Sequence, residues 1–361
     1  DEPLRLVGLA LLHDAPRSDA RQLIDALRAL GVRVKMLTGD SLPVAREIAR
    51  VLGLGAIARA PELRSLQQDG AARAAEVVAA ADGFAEVFPE DKFRVVTTLQ
   101  AAGHVVAMTG DGVNDAPALR QAEVGVAVSG ATDVAKGAAS AVLTTEGLAN
   151  IVDLVRIGRS IYQRVLTWIV NKVSRTIMKA GLVVVAFLVT GKFVISALGM
   201  VLLVFMTDFV KIALATDRVR PSTVPETWNI GPLVRVAVVL GLLMLAEALA
   251  LLAFGWHRFA LADDPGRLQA FTFQLLLSFA LFSVVSVRER RAFHASRPGT
   301  TLMAALAADA VAGVLVGLVG LGELSAMPAG QIALLYGCAA ALVLGPNDWV
   351  KVVLTRRVGA A

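Results

Sequence analysis

Two hydrophobic patterns divide the chain near residue 150. Before it, short apolar runs that are typical of strands alternate with helical patterns. Beyond about residue 165, the apolar runs reach the ~20 residues that a helix needs to cross a bilayer. Strands that alternate with helices predict a parallel sheet with helices on both faces. We therefore expect a Rossmann-type α/β domain over residues 1–150, a stalk over 151–166 and an all-α transmembrane domain over 167–361.

The same patterns predict the individual elements. Strands are expected at 4–12, 32–37, 84–88, 105–108 and 124–128. Helices are expected at 18–30 with a serine cap, at 42–52 closed by a glycine, at 90–101 and at 116–122. Membrane spans are expected near 165–190, 193–215, 233–255, 270–287, 301–321 and 330–350. Ligands of parallel sheets bind beyond the carboxyl ends of the strands, so the turns at 38–40 and 109–115 are expected on one edge.

Composition and charge agree with a chain that lies partly in a membrane. Hydrophobic residues make up 56% of the 361 residues, and charged residues only 18%. Arg and Lys concentrate in the loops after the second and fourth spans and in the tail, so the positive-inside rule places residues 1–150 and the C-terminus in the cytosol. The net charge of +5 does not indicate nucleic-acid binding, because the arginines lie in short loops between apolar runs. The single cysteine, Cys338, provides no disulfide or metal framework.

The segment Met108-Thr-Gly-Asp-Gly-Val-Asn-Asp115 carries the clearest chemical signal. Its glycines let the backbone turn tightly and approach a phosphate. Asp111 and Asp115 offer the hard oxygen ligands that Mg²⁺ takes, and Asn114 can orient a ligand or hydrogen-bond phosphate oxygens. Between two apolar strands, this segment predicts a Mg²⁺–phosphate site rather than a solvated polar turn.

Three weaker segments could complete a phosphoryl site. The Thr38-Gly39-Asp40 turn supplies a hydroxyl and backbone N–H groups for phosphate oxygens. Lys92 opens a helix and could neutralise phosphate charge, although a lone lysine at such a place is more often a surface residue. The Asp14-Ala-Pro-Arg17 turn follows the first strand, and Arg17 could either bind a nucleotide phosphate or form an exposed ion pair.

Together these segments resemble the phosphorylation domain of P-type ATPases, which belongs to the haloacid-dehalogenase group. Residues 35–40, 88–92 and 108–115 look like the family's successive motifs in the right order, and residues 14–17 resemble its Asp-Pro-Pro-Arg with one Pro replaced by Ala. The resemblance covers the soluble and membrane parts alike. It implies a haloacid-dehalogenase-like cytosolic domain joined to six transmembrane helices, in a multi-pass protein of the cell membrane.

The resemblance also implies a reaction. In the family, an aspartate in an Asp-Lys-Thr-Gly-Thr run attacks the γ-phosphate of ATP to give an aspartyl phosphate. No such run occurs here, and in the family's layout that aspartate, the nucleotide-binding insertion, the actuator domain and the first four membrane helices precede residue 1. The chain is therefore expected to be the C-terminal part of a pump, with the N-terminal part as its partner, and to be inactive alone. The resemblance places Mg²⁺ on Asp111 with support from Asp115, and the phosphoryl group on Lys92 and the 38–40 turn.

Charged side chains inside membrane spans are costly and by default suggest function. The spans contain Arg175, Lys179, Asp208, Lys211, Glu247 and Asp309. We expect Asp208 to carry the transported ion and Lys179 to neutralise it across the tight hairpin of the first two spans. Glu247 and Asp309 could instead be polar contacts between helices.

The transported ion is best predicted as a proton. Residues 195–222 resemble the proton-pumping branch, in which an aspartate carries the proton and a nearby cation helps to eject it. One carboxylate beside a built-in cation suits a proton better than Ca²⁺, which takes about six to eight oxygens. Thr207 departs from the Asn usual in that branch and is similar to the Ca²⁺ and Na⁺/K⁺ branches, so a pump for Ca²⁺, Na⁺/K⁺ or Mg²⁺ is an alternative. A membrane-anchored haloacid-dehalogenase-type phosphatase is another, although it would not need charges in its spans.

Overall fold

The computed structural model describes residues 15–69, 71–145, 149–219, 221–225 and 230–359. These residues form two compact units that divide after Arg156, with the short segment 222–225 grouped with the first unit. Short strands and helices make up the first unit, and long helices make up the second, as the two hydrophobic patterns predict. The predicted strand at 4–12 lies outside the described residues.

Strands and helices alternate along the first unit, because its apolar residues recur in some segments at the period of a strand and in others at the period of a helix. The strands are β1 (Met36–Leu37), β2 (Ile57–Arg59), β3 (Gly83–Ala85), β4 (Ala107–Gly110), β5 (Val124–Ala127) and β6 (Ala141–Val142). The helices are α1 (Ala20–Ala29), α2 (Leu42–Leu52), α3 (Ala60–Asp69), α4 (Ala71–Ala80), α5 (Pro89–Ala101), α6 (Ala116–Gln121) and α7 (Asp133–Ala138).

The described strands form two parallel sheets rather than one. Their orders are β1-β3-β2 and β4-β5-β6, and every pairing is parallel. Phe84 of β3 is fully buried at the centre of the first sheet's core. Leu37 and Val106 pack against the apolar clusters beside both sheets, which therefore share one hydrophobic interior. The predicted α/β fold with parallel strands is confirmed.

Several predicted boundaries need correction. Ser18 does not cap α1: the helix begins at Ala20 with Asp19 at the N-cap position, because the first turn closes through an Ala20 N–H bond to the Arg17 carbonyl. The prediction for α2 is confirmed, and Gly53 ends it in the left-handed conformation that glycine adopts freely (φ 71°). The elements β2, α3, α4, α7 and β6 were not predicted: β2, α7 and β6 are short, α4 is rich in alanine, and α3 has few apolar residues to set a helical period.

Long apolar helices build the second unit, the first of them beginning before it. They are α8 (Ala149–Thr190), α9 (Ala197–Leu214), α10 (Ile230–Arg258), α11 (Pro265–Val287), α12 (Thr300–Val319), α13 (Ala329–Leu342) and α14 (Asp348–Gly359). Within the described residues, six stretches are long and apolar enough to cross a membrane, and α13 and α14 together make the last of them. The predicted six-helix transmembrane architecture is confirmed.

Helix α11 lies at the centre of the second unit, where it packs against α9, α10, α12 and α13. Phe271, Phe273 and Phe279 on this helix are fully buried. A helix that is largely apolar on every side is stable in such a position because most of its side chains find apolar neighbours.

A buried polar cluster, which we call the Asp217 junction, joins four elements of the second unit. The Asp217 carboxylate accepts hydrogen bonds from Arg288 Nε (2.8 Å) and from the Gly299 N–H (2.7 Å). Its backbone carbonyl accepts two more from the Arg164 guanidinium (3.0 and 2.8 Å). Since Arg164 lies on α8, Asp217 just after α9, Arg288 at the end of α11 and Gly299 at the start of α12, this junction fixes the ends of these helices together.

The last span contains an irregular turn. Residues 343–347, which include Pro346, form a π-helical turn between α13 and α14. Directly after it, Asp348 accepts hydrogen bonds from the Ser286 hydroxyl (2.8 Å) and from Lys351 Nζ (2.6 Å). Both Asp348 and Lys351 are buried, so this face of α14 is held against the end of α11.

Candidate functional site

The turn after β1 is held by its own side chains and by the neighbouring strand. Thr38 Oγ1 donates a hydrogen bond to the Asp40 carboxylate (2.6 Å) and accepts one from the Asp40 N–H (3.1 Å). The chain that leaves β3 adds two backbone bonds, from the Glu86 N–H to the Asp40 carbonyl (2.9 Å) and from the Val87 N–H to the Thr38 carbonyl (3.0 Å). The carboxyl ends of β1 and β3 therefore form one rigid edge, on which Gly39 is exposed.

The same chain runs directly into α5 and so places Lys92. Asp91 accepts a hydrogen bond from the Phe88 N–H (2.9 Å), which satisfies one of the unpaired donors at the start of the helix. Asp91 is buried, and the Arg64 guanidinium lies 3.6 Å from it and 4.8 Å from the centre of the exposed Phe88 ring. Lys92 follows in the first turn and points towards the second sheet, where it meets Asp115.

Lys92 and Asp115 form the central ion pair of this edge. Lys92 Nζ lies 2.6 Å from Asp115 Oδ1, and Asp115 Oδ2 accepts the backbone N–H groups of Asp111 and Gly112 (3.2 Å each). Burial of the Asp115 carboxylate favours its neutral form, but the hydrogen bonds from Lys92, Gly112 and Asp111 outweigh burial, so the pKa of Asp115 lies below its usual value. Asp115 is therefore an ionised anchor for both Lys92 and the 110–112 turn.

The turn itself presents Asp111 and Asn114 to solvent, since both side chains are exposed. It needs glycine at position 110, because a Cβ there would lie 2.6 Å from the Asp115 Cβ atom. The Asp111 carbonyl accepts the Thr132 N–H (2.8 Å), which ties the turn to the start of α7. The backbone thus fixes the Asp111 position while its carboxylate stays open.

Arg17 pairs with a neighbour in sequence rather than with these groups. Its side chain is 58% exposed, and its guanidinium lies 3.8 Å from the Asp19 carboxylate. Of the two alternatives for Arg17, this arrangement is the exposed ion pair and not a phosphate contact. Asp14, the other residue predicted to contact nucleotide in this segment, lies outside the described residues.

In the second unit, the partner of Asp208 is not the predicted one. Asp208 on α9 pairs with Lys211 one turn later (2.5 Å) and not with Lys179 across the hairpin, because an i,i+3 pair on one helix needs no particular rotation of α8. Lys179 lies within electrostatic range of Asp208. Thr207 is buried, and its hydroxyl donates to the Leu203 carbonyl of its own helix (2.8 Å).

Comparison with known proteins identifies the family. Residues 2–123 match the haloacid dehalogenase-like hydrolases. A putative cation-transporting ATPase of Methanocaldococcus jannaschii is 36% identical over 358 residues, 97% of this chain and 44% of that protein. A probable plasma membrane ATPase of Dictyostelium discoideum is 34% identical over 325 residues, 87% of this chain and 30% of that protein. The similarity to the Methanocaldococcus jannaschii protein runs through both units of the structure. This chain belongs to the P-type ATPases.

This P-type ATPase chain spans less than half the length of either relative. Within it, backbone hydrogen bonds join Thr38 and Asp40 to the residues before α5. The Lys92 side chain pairs with Asp115, whose carboxylate also accepts the Asp111 N–H. Most of the predicted phosphate residues are thus linked by hydrogen bonds or by this ion pair. Within the described residues, the Arg17 side chain pairs with Asp19 rather than with these groups.

Three residues near the carboxyl edge of the first sheet were not predicted from the sequence. Glu86 adopts a left-handed backbone conformation that is unusual for a non-glycine residue (φ 58°), and Arg59 pairs with it at 2.9 Å. The hydrogen bond from Arg59 holds the pKa of Glu86 below its usual value. Asp91 could have been found, because an acidic residue three positions after a helix N-cap is a known start signal. The Glu86 conformation leaves no comparable signal in the sequence.

Asp111 and Asp115 do not fit a metal ion equally well. Both oxygens of Asp115 already accept protein donors, whereas the Asp111 carboxylate is exposed at the end of the turn. No group of three or more His, Cys, Asp and Glu side chains that could hold a metal occurs in the described part of the chain. One open carboxylate fits Mg²⁺, which usually keeps several waters and shares its coordination with substrate phosphate.

Proposed function

We propose that the P-type ATPase containing this chain is an ATP-driven cation pump that forms an aspartyl phosphate and exports protons. The observation that carries the proposal is the ion pair between Lys92 and Asp115 at the sheet edge, in a chain that also holds six membrane-capable helices. No Asp-Lys-Thr-Gly-Thr run occurs in the 361 residues, so a carboxylate outside them would receive the phosphoryl group, and these residues alone would be inactive.

In this proposal the first unit binds and stabilises the phosphoryl group. Lys92 supplies positive charge, and the Thr38-Gly39-Asp40 turn supplies a hydroxyl and backbone donors for phosphate oxygens. Asp111 would hold Mg²⁺, which neutralises phosphate charge when bound. Asp115 keeps Lys92 and the Asp111 turn in position, and Asn114 would hydrogen-bond a phosphate oxygen. Asp14 and Arg17 would contribute at the nucleotide side.

The membrane half supports a proton as the transported ion. Asp208 stands beside Lys211 at 2.5 Å, so a cation that can help to expel a proton is built into the same helix. The Thr207 hydroxyl is engaged with its own backbone and adds no open oxygen. One carboxylate with a cation at contact distance does not provide the oxygens that a divalent ion takes. Lys179 also lies within electrostatic range of Asp208, and its positive charge would oppose the binding of a divalent ion there.

The lipid bilayer surrounds the second unit in this proposal, and residues 1–150 and the C-terminus lie in the cytosol. A pump for Ca²⁺, Na⁺/K⁺ or Mg²⁺ remains the alternative to be tested, since Thr207 stands beside Asp208 as it does in such branches. A membrane-anchored phosphatase is disfavoured because Asp208 and Lys211 would serve no purpose in an anchor.

The phosphoryl assignment is tested with Asp111→Ala in the complete protein. We expect loss of Mg²⁺-dependent labelling by [γ-³²P]ATP, because the open carboxylate for Mg²⁺ is gone. Asp133→Ala is the matched control, since Asp133 is an exposed carboxylate in the same unit whose lysine partner lies 4.0 Å away. Phosphoenzyme at the unmutated level in Asp111→Ala would refute the assignment.

The ion assignment is tested by ATP-driven acidification of inside-out vesicles that carry the complete protein. We expect Asp208→Asn to abolish acidification while phosphoenzyme still forms. Asp153→Asn is the control, because Asp153 also forms an i,i+3 ion pair on a helix, in its case with Arg156. Acidification by the Asp208→Asn protein would remove Asp208 from the path, and ATPase activity stimulated by one added cation without acidification would replace the proton by that cation.

A further inference from the structure

Four side-chain oxygens inside the helix bundle have no hydrogen-bond partner in the described part of the chain. Three of them lie on helices that pack against one another: Asp309 Oδ2 on α12, Tyr336 Oη on α13 and Gln274 Oε1 on α11. The fourth is Asn347 Oδ1, in the π-helical turn after α13. Asp309 is 6% exposed and Gln274 is fully buried. A buried polar atom without a partner is costly, and more so when it carries charge, so three of them on adjacent helices require an explanation.

Gly313 on α12 lies beside two of these side chains. Gln274 Nε2 donates to the Gly313 carbonyl (2.6 Å), and a Cβ on Gly313 would lie 2.8 Å from Tyr336 Oη. Asp309 precedes Gly313 by one helical turn, so it lies on the same face of α12. Tyr336 also lies within electrostatic range of Asp309. Because Gly313 has no side chain, Leu277 and Tyr336 approach this face of α12 closely, and Gln274 reaches its backbone.

The chemistry of these atoms selects a cation. A carboxylate, a phenol and an amide carbonyl are all hard oxygen donors, and the amide nitrogen of Gln274 is already used by the Gly313 carbonyl. The phenol has one proton to donate and Gln274 Nε2 has a second N–H, but neither reaches the carboxylate oxygen Oδ2 or the amide oxygen within the described residues. A positively charged or protonated guest would satisfy the carboxylate and the amide oxygen together.

The surrounding charges limit that guest to a single positive charge. Arg175 of α8 lies within electrostatic range of both Asp309 and Asp208, so the charge of Asp309 is already partly offset. Lys179 and Lys211 lie near Asp208 and near each other, and Glu247 of α10 is engaged by Asn347 (2.7 Å). A divalent ion would add charge to an environment with few carboxylates and would find too few oxygens.

We propose that Asp309, Tyr336 and Gln274 form a binding site for one monovalent cation, either a proton held on Asp309 or an alkali ion, separate from Asp208. Its participation in transport rests on the proposed function, but the binding itself requires neither ATP nor phosphorylation. Arg175, which lies within electrostatic range of both carboxylates, is the group through which occupancy of one site would affect the other.

The test uses the complete protein in lipid vesicles without ATP, so a failure of the pump assignment does not alter it. Infrared difference spectra are recorded as pH is varied in choline chloride, and again as NaCl or KCl replaces choline at constant ionic strength. The probe is the carbonyl stretch of a protonated carboxylic acid, compared in the unmutated protein, Asp309→Asn and Tyr336→Phe. Glu247→Gln is the matched control, because Glu247 is a membrane carboxylate with an amide partner.

Two results support the site, and each identifies the guest. An acid band that titrates with pH, is lost in Asp309→Asn and shifts in Tyr336→Phe identifies a proton. A saturable change with Na⁺ or K⁺ that is lost in Asp309→Asn and weakened several-fold in Tyr336→Phe identifies an alkali ion. Glu247→Gln should retain the signal in either case. Spectra that do not change with pH, with alkali ions or with Asp309→Asn would overturn the proposal and leave ordered water as the partner. A signal that Tyr336→Phe leaves unchanged would also overturn it, because the site would then be an isolated carboxylate.

Discussion

Removal of one charge from the Asp217 junction should destabilise the second unit strongly. Asp217→Asn keeps an oxygen that can accept the Gly299 N–H but removes the counter-charge of Arg288. The side chains of both partners are essentially inaccessible, at 0% for Asp217 and 1% for Arg288, so water cannot replace the lost carboxylate. Solvent screening, which makes exposed pairs weak, does not apply here.

The expected cost follows from what remains around Arg288. Loss of one partner from a buried ion pair typically costs about 3–5 kcal/mol, because the other charge stays buried without compensation. Arg288 keeps hydrogen bonds to the carbonyls of Ser296 (2.9 Å), Arg297 (3.2 Å) and Arg218 (3.3 Å), which places Asp217→Asn near the lower end, at about 3 kcal/mol. Arg288→Met leaves an unpaired carboxylate and should cost at least as much.

The double variant Asp217→Asn/Arg288→Met decides whether this reasoning is right. With both charges gone, neither is left buried alone, so its loss should fall short of the sum of the single losses by about 2–3 kcal/mol. The measurement is equilibrium unfolding of the complete chain in mixed detergent–lipid micelles, followed by helical ellipticity. Glu323→Gln, at an exposed carboxylate of the same unit, is the control and should leave the free energy of unfolding unchanged. Strictly additive losses, or a single variant as stable as the control, would refute the account.

Two further outcomes are expected in the first unit. Gly110→Ala should weaken it by about 1–3 kcal/mol, because the new Cβ would lie 2.6 Å from Asp115, whereas Gly137→Ala, whose Cβ would meet nothing within 4 Å, should be neutral or slightly stabilising; equal thermal stability of the two variants would contradict the crowding at position 110. Because the pKa of Asp115 is lower in the folded chain than its ordinary 3.8, its stabilising contribution is present above that pH and is lost as pH falls through the folded value. Hydrogen–deuterium exchange should therefore show the 110–112 turn less protected in Asp115→Asn than in the unmutated protein at neutral pH, with the difference vanishing only in acid; a difference that disappears already near pH 6 would contradict the lowered pKa.

The sequence predicted those features that depend on local pattern. The apolar periods located the membrane helices, and Gly53 marked the end of α2, because a left-handed helix end favours glycine regardless of the surroundings. The tight turn at residues 109–115 was also predicted, because the spacing of Gly110, Asp111 and Asp115 within one short motif indicates it. The roles of these residues towards phosphate and Mg²⁺ stay predictions.

Features that depend on tertiary arrangement were not predicted. Lys179 was predicted to neutralise Asp208, a contact that would depend on the rotation of α8 relative to α9, whereas the observed partner Lys211 lies on α9 itself. The strand β2 has three residues, too few for a period to be recognised. Asp309 was considered with Glu247 as one class of polar contact, yet only Glu247 has a hydrogen-bond partner among the described residues, because partner geometry depends on how three helices meet.

The π turn in the last span makes the inward face of α14 depend on chain length within the span. Such a turn holds one residue more than an α-helical turn, and each residue rotates a helix by about 100°. Without that residue, Asp348 and Lys351 would swing away from Ser286, and the largely exposed Trp349 would move towards the bundle. When relatives are aligned, a one-residue gap at 343–347 therefore reassigns which side chains of the final helix face its neighbours, and it should not be treated as a harmless difference in loop length.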